Sequence, residues 1–251
     1  MTNNHKQLLI SGILGDGSLC SNGRVSYSCI HKEYLEFKTS LVPEIECKIT
    51  TKLNSGYNKE NLISTFATKA NELGKKFYNS PLSEIVEDID ELGLALWFYD
   101  DGSLHKKNHF FNINTHSFSE EEEINVLIPM LNRFNIFPKI MKERKKDGRE
   151  FTYLYVAKHK GVFEITRILR KYPIKCYEYK QIPDSEFKRF ELIHKKYKDY
   201  KISRKVLSNL LNRKVEDFND FISNNIHILK GDFISPNKKA CFEVDENTIY
   251  L

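Results

Sequence analysis

The feature that most constrains this chain is an internal repeat. Ile13-Leu14-Gly15-Asp16-Gly17-Ser18-Leu19 has a counterpart 85 residues on in Phe98-Tyr99-Asp100-Asp101-Gly102-Ser103-Leu104. The same step carries His31 onto His116 without a gap, and five of the sixteen positions from Asp16 to His31 are identical, four of them consecutive. A repeat of this length points to one supersecondary unit used twice in a chain of 251 residues, long enough for one large domain or two modest ones. Periodicity fills in the unit. Residues 6–16 and 82–101 are read as apolar helices, each stopped by a glycine able to take positive φ. Strands are predicted near 24–30 and 109–115, then helices near 32–41 and 119–134, the latter opening on Ser119 and Glu122 in capping-box spacing. Hairpins are expected at Asn54-Ser55-Gly56 and Asp147-Gly148, and closing helices at 69–79 and 158–171.

The unit is therefore helix–β–β–helix–β–β–helix, over 1–85 and again over 86–197, followed by an extension at 198–251. In the first strand Val25, Tyr27 and Cys29 alternate, whereas the second is better phased by Phe111 and Ile113. Either the gapless register breaks there or Tyr27 faces a ligand. In the extension, Ile202–Leu211 and Val215–Ile222 are read as amphipathic helices, a small helix-turn-helix appendage or packing against the core.

The paired segments carry a resemblance. Leu9-Ile10-Ser11-Gly12-Ile13-Leu14-Gly15-Asp16-Gly17 and Leu94-Ala95-Leu96-Trp97-Phe98-Tyr99-Asp100-Asp101-Gly102 are similar to the two signature helices of LAGLIDADG homing endonucleases. The stretch Asn112 to Glu122 resembles the strand-to-helix passage of the subgroup found in introns. The likeness covers roughly residues 5–197 and implies an α+β fold, two pseudo-symmetric units of αββαββα type whose sheets form a saddle over DNA. It implies a monomeric, Mg²⁺-dependent double-strand endonuclease that leaves short 3′ overhangs. It implies that His31 and His116 help position the attacking water and that Lys180 is the basic residue near the scissile phosphate.

Physical chemistry gives these helices a purpose beside the resemblance. Glycine inside a helix costs roughly 1 kcal/mol relative to alanine, so Gly12 and Gly15 need close helix–helix approach to account for them. If the motif helices pack together, Ser11, Gly12 and Gly15 are expected to lie near Leu96, Trp97 and Asp100, and Gly12→Leu to unfold the protein or separate its halves. Such packing sets Asp16 and Asp101 side by side at helix C-termini, a negative pocket that a hard divalent cation such as Mg²⁺ relieves. Asp100 is read as a packing group rather than a ligand.

Charge distribution says more than the net charge of +5, which only permits a nucleic-acid partner. From Lys139 to Lys180 there are thirteen lysines and arginines against five acidic residues. Much of that excess flanks a hairpin, and a basic β-ribbon fits the major groove. Lys142, Arg144, Lys145, Lys146 and Arg149 are the expected DNA contacts there, with Lys48, Lys52, Asn54, Tyr57, Asn58 and Lys59 in the first repeat. The acidic stretch Glu84–Glu91 is expected to face away from DNA.

Five widely spaced cysteines without a Cys-x-x-Cys pair argue against a disulfide scaffold or a zinc finger. No apolar run is long enough to span a membrane, and the N-terminus does not read as a secretory signal. A cytoplasmic location is expected, or an organelle matrix for an organelle-encoded chain. The absence of intein splice residues favours a free-standing or intron-encoded enzyme. Two alternatives stay open: a maturase acting on group I intron RNA, alone or with cleavage, and a non-catalytic DNA-binding regulator on the same scaffold.

Overall fold

The computed structural model describes residues 2–45, 47–53, 61–105, 110–144, 148–157, 160–188, 201–203, 243–244 and 248–250. Two compact units emerge, Met1–Phe187 and Lys188–Leu251.

The first unit holds both repeats. Helix α1 (Asn3–Leu14) starts where the Thr2 side chain accepts from the His5 amide. It leads into β1 (Ser18–Leu19) and β2 (Val25–Cys29), α2 (Lys32–Ser40), β3 (Thr50–Leu53), β4 (Leu62–Ala67) and α3 (Glu72–Asn79). The second repeat runs through α4 (Leu82–Ile85), α5 (Glu91–Asp101), β5 (Gly102–His105) and β6 (Phe110–Asn114). It continues through α6 (Glu120–Glu122), a π-helical segment Glu123–Leu127, α7 (Ile128–Asn132), β7 (Lys139–Arg144), β8 (Glu150–Val156), α8 (Lys160–Lys171) and a 3-10 turn Lys175–Lys180. Ser119 makes the expected capping box with Glu122.

Each repeat builds one antiparallel four-stranded sheet, in the order β1-β2-β4-β3 and β5-β6-β8-β7. Strand alternation gives each sheet one apolar and one polar face. Val25, Tyr27 and Phe66 are buried in the first sheet, and Phe111, Ile113, Leu154 and Val156 in the second. The opposite faces carry Ser26, Ser28, Thr65, Thr50 and Lys52 in one case, and Ser103, Asn112, Asn114, Tyr153 and Tyr155 in the other. The helices cover the apolar faces, with α1 packed against α5 and α5 against α8.

Two expectations change, and the choice left open at Tyr27 is decided. The helix predicted over 82–101 is two helices, because the Asp90 side chain caps α5 by accepting from the amides of Leu92 and Gly93. Gln7 fills the break, donating to the Asp88 carbonyl and accepting from the Asp90 amide. The glycines that end α1 and α5 do not take positive φ, which among the described glycines is confined to Gly23 and Gly148. They are small because neighbours crowd them: a methyl on Gly102 would lie 2.4 Å from the Phe111 ring. The repeat also shifts by one residue after the first strand. Leu19 pairs with Val25 and Leu104 with Phe111, so positions offset by 85 before the turn are offset by 86 after it. Tyr27 accordingly matches Ile113; it is buried and donates to the Leu8 carbonyl at 2.6 Å, facing the core rather than a ligand.

The second unit contributes a three-stranded antiparallel sheet of β9 (Lys201–Ser203), β10 (Glu243–Val244) and β11 (Thr248–Tyr250), in the order β10-β11-β9. Ile202 and Ser203 therefore lie in a strand where a helix was expected; 204–211 and 215–222 lie outside the described residues.

Candidate active site at the paired helix ends

The junction of α1 and α5 is defined by unequal partners. A methyl on Gly15 would stand 2.8 Å from both Cβ and Oδ2 of Asp100, so the absent side chain of one repeat is the space filled by the carboxylate of the other. Gly12 serves a different contact from the expected one. The three atoms nearest to a methyl built there all belong to Tyr27, the hydroxyl at 2.4 Å, so Gly12 admits the first sheet's tyrosine rather than Leu96 or Trp97. Ser11, fully buried, turns its hydroxyl to the Leu8 carbonyl at 3.0 Å, while Leu96 and Trp97 are wholly buried in α5.

One residue beyond these contacts, Asp16 and Asp101 share a field. Asp101 is held in its protonated form up to about pH 7, first by burial, then by the charges of Asp16 and Asp100, with Lys180 and the Trp97 indole opposing. Trp97 Nε1 makes no full hydrogen bond among the described residues, so its pull is weak. Asp16 is raised too, by loss of water and then by Asp100, against Lys38 and Lys180. Two carboxylates that are both raised, Asp101 in part by Asp16 and both by Asp100, are short of positive charge, and carboxylate oxygens are the donors that hard divalent cations prefer. The residues thus fit such a cation. Among the described residues no cluster of three or more His, Cys, Asp or Glu has metal-binding geometry. An ion held by two carboxylates takes water or substrate oxygens as its remaining ligands.

Two lysines frame the pair. Lys180 is buried; its Nζ donates to the Tyr99 carbonyl and lies 3.5 Å from the Asp100 carbonyl. Burial lowers its pKa while Asp100, Asp101 and Asp16 pull it back up. Lys38 of α2 was not singled out in the sequence. Its side chain is 1% exposed, and its Nζ reaches both carboxylate oxygens of Asp100 at 3.0 Å. The only sequence hint is a lysine four residues after Tyr34, on the helix face that carries the buried aromatic.

The histidines separate. His116 lines an open pocket of 210 Å³ with Asp101, Ser103, Asn112, Asn114, Glu143 and Tyr153, on the polar face of the second sheet. His31 stacks edge-on against Tyr177, 5.3 Å between ring centres, and the register shift removes its equivalence to His116. Tyr177 also lies 4.8 Å from Lys180 Nζ.

The expected DNA contacts divide as well. Lys52 projects from the polar face of the first sheet with Thr50 and Thr65, and Lys48 is exposed just ahead of β3. Against expectation, Lys142 and Arg144 stand on the helix-side face of β7, in phase with Ile140. Lys142 is bound to Glu120 at 2.7 Å. The polar face of β7 instead carries Lys139, Met141 and Glu143. Strand phase decides this, and the number of lysines does not reveal it. Arg149 is exposed with its guanidinium 5.6 Å from the Phe151 ring centre. Asn54, Tyr57, Asn58, Lys59, Lys145 and Lys146 lie outside the described residues.

Two sheets with matched order, joined through helices that end in Asp-Gly, agree with what the sequence comparisons find. The chain belongs to the LAGLIDADG DNA endonuclease family, whose family model matches residues 6–162. It is 31% identical over 87 residues to the probable intron-encoded DNA endonuclease 3 of Mycosarcoma maydis, a match covering 35% of this chain and 62% of that protein. The chain thus spans less than two thirds of that relative's length. Among solved structures it is similar to the homing endonuclease I-WcaI bound to its DNA recognition sequence. That likeness has a TM-score of 0.56 and 20% identity, covers 72% of this chain and 87% of the other, and shows the shared fold. Among the described residues no helix is long and apolar enough to cross a membrane.

Proposed function

We propose that this protein is a site-specific DNA endonuclease that uses a divalent cation, Mg²⁺ in the first instance, at the ends of α1 and α5. The observation that carries the reading is the electrostatic pairing of Asp16 with Asp101 beside a polar sheet face. Both carboxylates are the cation's protein ligands, and each serves cleavage of one strand. A cation bound there supplies activation of water and stabilisation of the leaving oxygen. The remaining work belongs to the chain. Lys180 brings a buried positive charge to the end of α5, where a phosphate approaching the carboxylates meets it. His116, in the pocket with Asp101, holds water on the second-repeat side. The polar faces supply amides, hydroxyls and phenols suited to base edges, and Lys52 and Lys139 supply phosphate contacts. The product ends follow the pattern the resemblance implies, with short 3′ overhangs.

The test is a supercoiled plasmid carrying the uninterrupted allele of the gene that hosts this reading frame. Wild-type protein with Mg²⁺ should linearise it, and chelator, Asp16→Asn or Asp101→Asn should abolish linear product. No cutting by wild type at that site, or equal cutting by all three proteins, contradicts the reading.

A further inference from the structure

A third carboxylate stands at the junction, that of Asp100, next to Asp101 in sequence and facing Gly15 across the helices. It adjoins both proposed cation ligands, since it precedes Asp101 and its Cβ and Oδ2 lie 2.8 Å from where a methyl on Gly15, the residue before Asp16, would stand. Yet its own oxygens are fully engaged. Oδ1 accepts from the Tyr34 hydroxyl at 2.7 Å and from Lys38 Nζ at 3.0 Å, and Oδ2 accepts from Lys38 Nζ at 3.0 Å. The Lys38 and Asp100 side chains are each 1% exposed. The Tyr27 and Tyr34 rings flank the ammonium, each centroid 4.4 Å from Nζ. The Asp100 main chain is held separately, its carbonyl 3.5 Å from Lys180 Nζ.

We propose that Lys38 is a positioning residue that keeps the Asp100 carboxylate out of the cation site, so that the junction offers the ion two carboxylates rather than three. The inference rests on the reading of Asp16 and Asp101 as the cation's ligands. A small, hard ion binds through one or two carboxylates and retains places for water and phosphate oxygens. A third acidic ligand tightens binding but fills a place that the reaction needs. The pair also crosses the repeats, since Lys38 comes from α2 of the first and Asp100 from α5 of the second. At the position matching Asp100 the first repeat has Gly15, so the restraint has no counterpart there.

The experiment titrates full-length protein with Mn²⁺ alone, without DNA, reading free Mn²⁺ by electron paramagnetic resonance and following the melting temperature in parallel. Lys38→Met should bind Mn²⁺ about tenfold more tightly than wild type and show a larger Mn²⁺-induced rise in melting temperature. Lys38→Met/Asp100→Asn should return to within threefold of wild type, assigning the added ligand to Asp100. Lys38→Arg, which keeps the charge, should stay near wild type. Affinity of Lys38→Met within threefold of wild type, or a double variant as tight as the single one, overturns the proposal. Should Lys38→Met alone lose cooperative melting, Mn²⁺ is expected to restore it by taking over the ammonium's charge, and failure to do so overturns the proposal. A wild type whose Mn²⁺ binding is unchanged by Asp16→Asn/Asp101→Asn contradicts the functional reading instead.

Discussion

The two repeats share a strand order but not a surface chemistry, and their junction turns on that inequality. Where the second repeat has Asp100, the first has Gly15, and the vacancy of one is the seat of the other. The second repeat carries Lys180 after its last helix, whereas the first contributes Lys38 from α2. The first sheet's polar face is built of serines, threonines and Lys52; the second's is built of Asn112, Asn114, Tyr153, Tyr155 and Glu143. A homodimer must place the same residue on both sides of its axis. A fused pair can set small against large and cation against anion, and can read two different half-sites with two different surfaces.

The largest effects should come from making the repeats alike. Gly15→Leu removes the seat of Asp100 and should cost about 3 kcal/mol or more, losing the folded state or the α1–α5 packing; unchanged thermal melting would break the comparison at its centre. Gly12→Leu should be similarly costly for a different reason, since it displaces Tyr27 within the first repeat. Compensation at Tyr27 (Tyr27→Ala) should recover part of that loss and should not rescue Gly15→Leu.

The pH dependence should separate the two carboxylates. Because Asp101 is raised to about 7, its contribution to metal-free stability is fully present below the ordinary carboxylate value and is lost as pH rises through 7. Metal-free wild type should gain stability on acidification from pH 8 toward pH 5, and Asp101→Asn should flatten that gain. Cation affinity should run the opposite way, falling below pH 7 as the ligand protonates. Equal profiles for wild type and Asp101→Asn in calorimetric scans would contradict the assignment.

The smallest effects test the faces. Lys52→Ala should weaken DNA binding and reduce the slope of log affinity against log salt by about 1, because one phosphate is no longer neutralised. Lys142→Ala should leave that slope within about 0.3 of wild type, because Lys142 faces the helices and is bound to Glu120. Equal changes in slope would return Lys142 to the DNA face.

Much of this was legible in the residues, and what was hidden has a physical reason. The repeat, the two Asp-Gly helix ends and the capping box of the second unit follow from local signals. The break before α5 was hidden because its cause, Gln7, is some 80 residues away from Asp88 and Asp90. The one-residue shift was hidden because the chain from Leu104 to its partner Phe111 is one residue longer than that from Leu19 to Val25, and identity at His31 and His116 masked it. Lys38 looked like any lysine of an amphipathic helix, since only the tertiary pairing with Asp100 shows it as buried. Strand phase assigns Lys142 and Arg144 to the helix side, whereas their clustering in sequence suggested a single basic face.

The pairing of Asp16 with Asp101 is measured most directly by carbon-13 carboxyl titration of the metal-free protein, followed in wild type and in Asp16→Asn. Asp101 should titrate near pH 7 in wild type, move down in Asp16→Asn, and lose its neutral-pH transition when Mg²⁺ is added. An Asp101 that titrates in the ordinary carboxylate range, and that responds neither to Asp16→Asn nor to Mg²⁺, would contradict a shared site at the two helix ends.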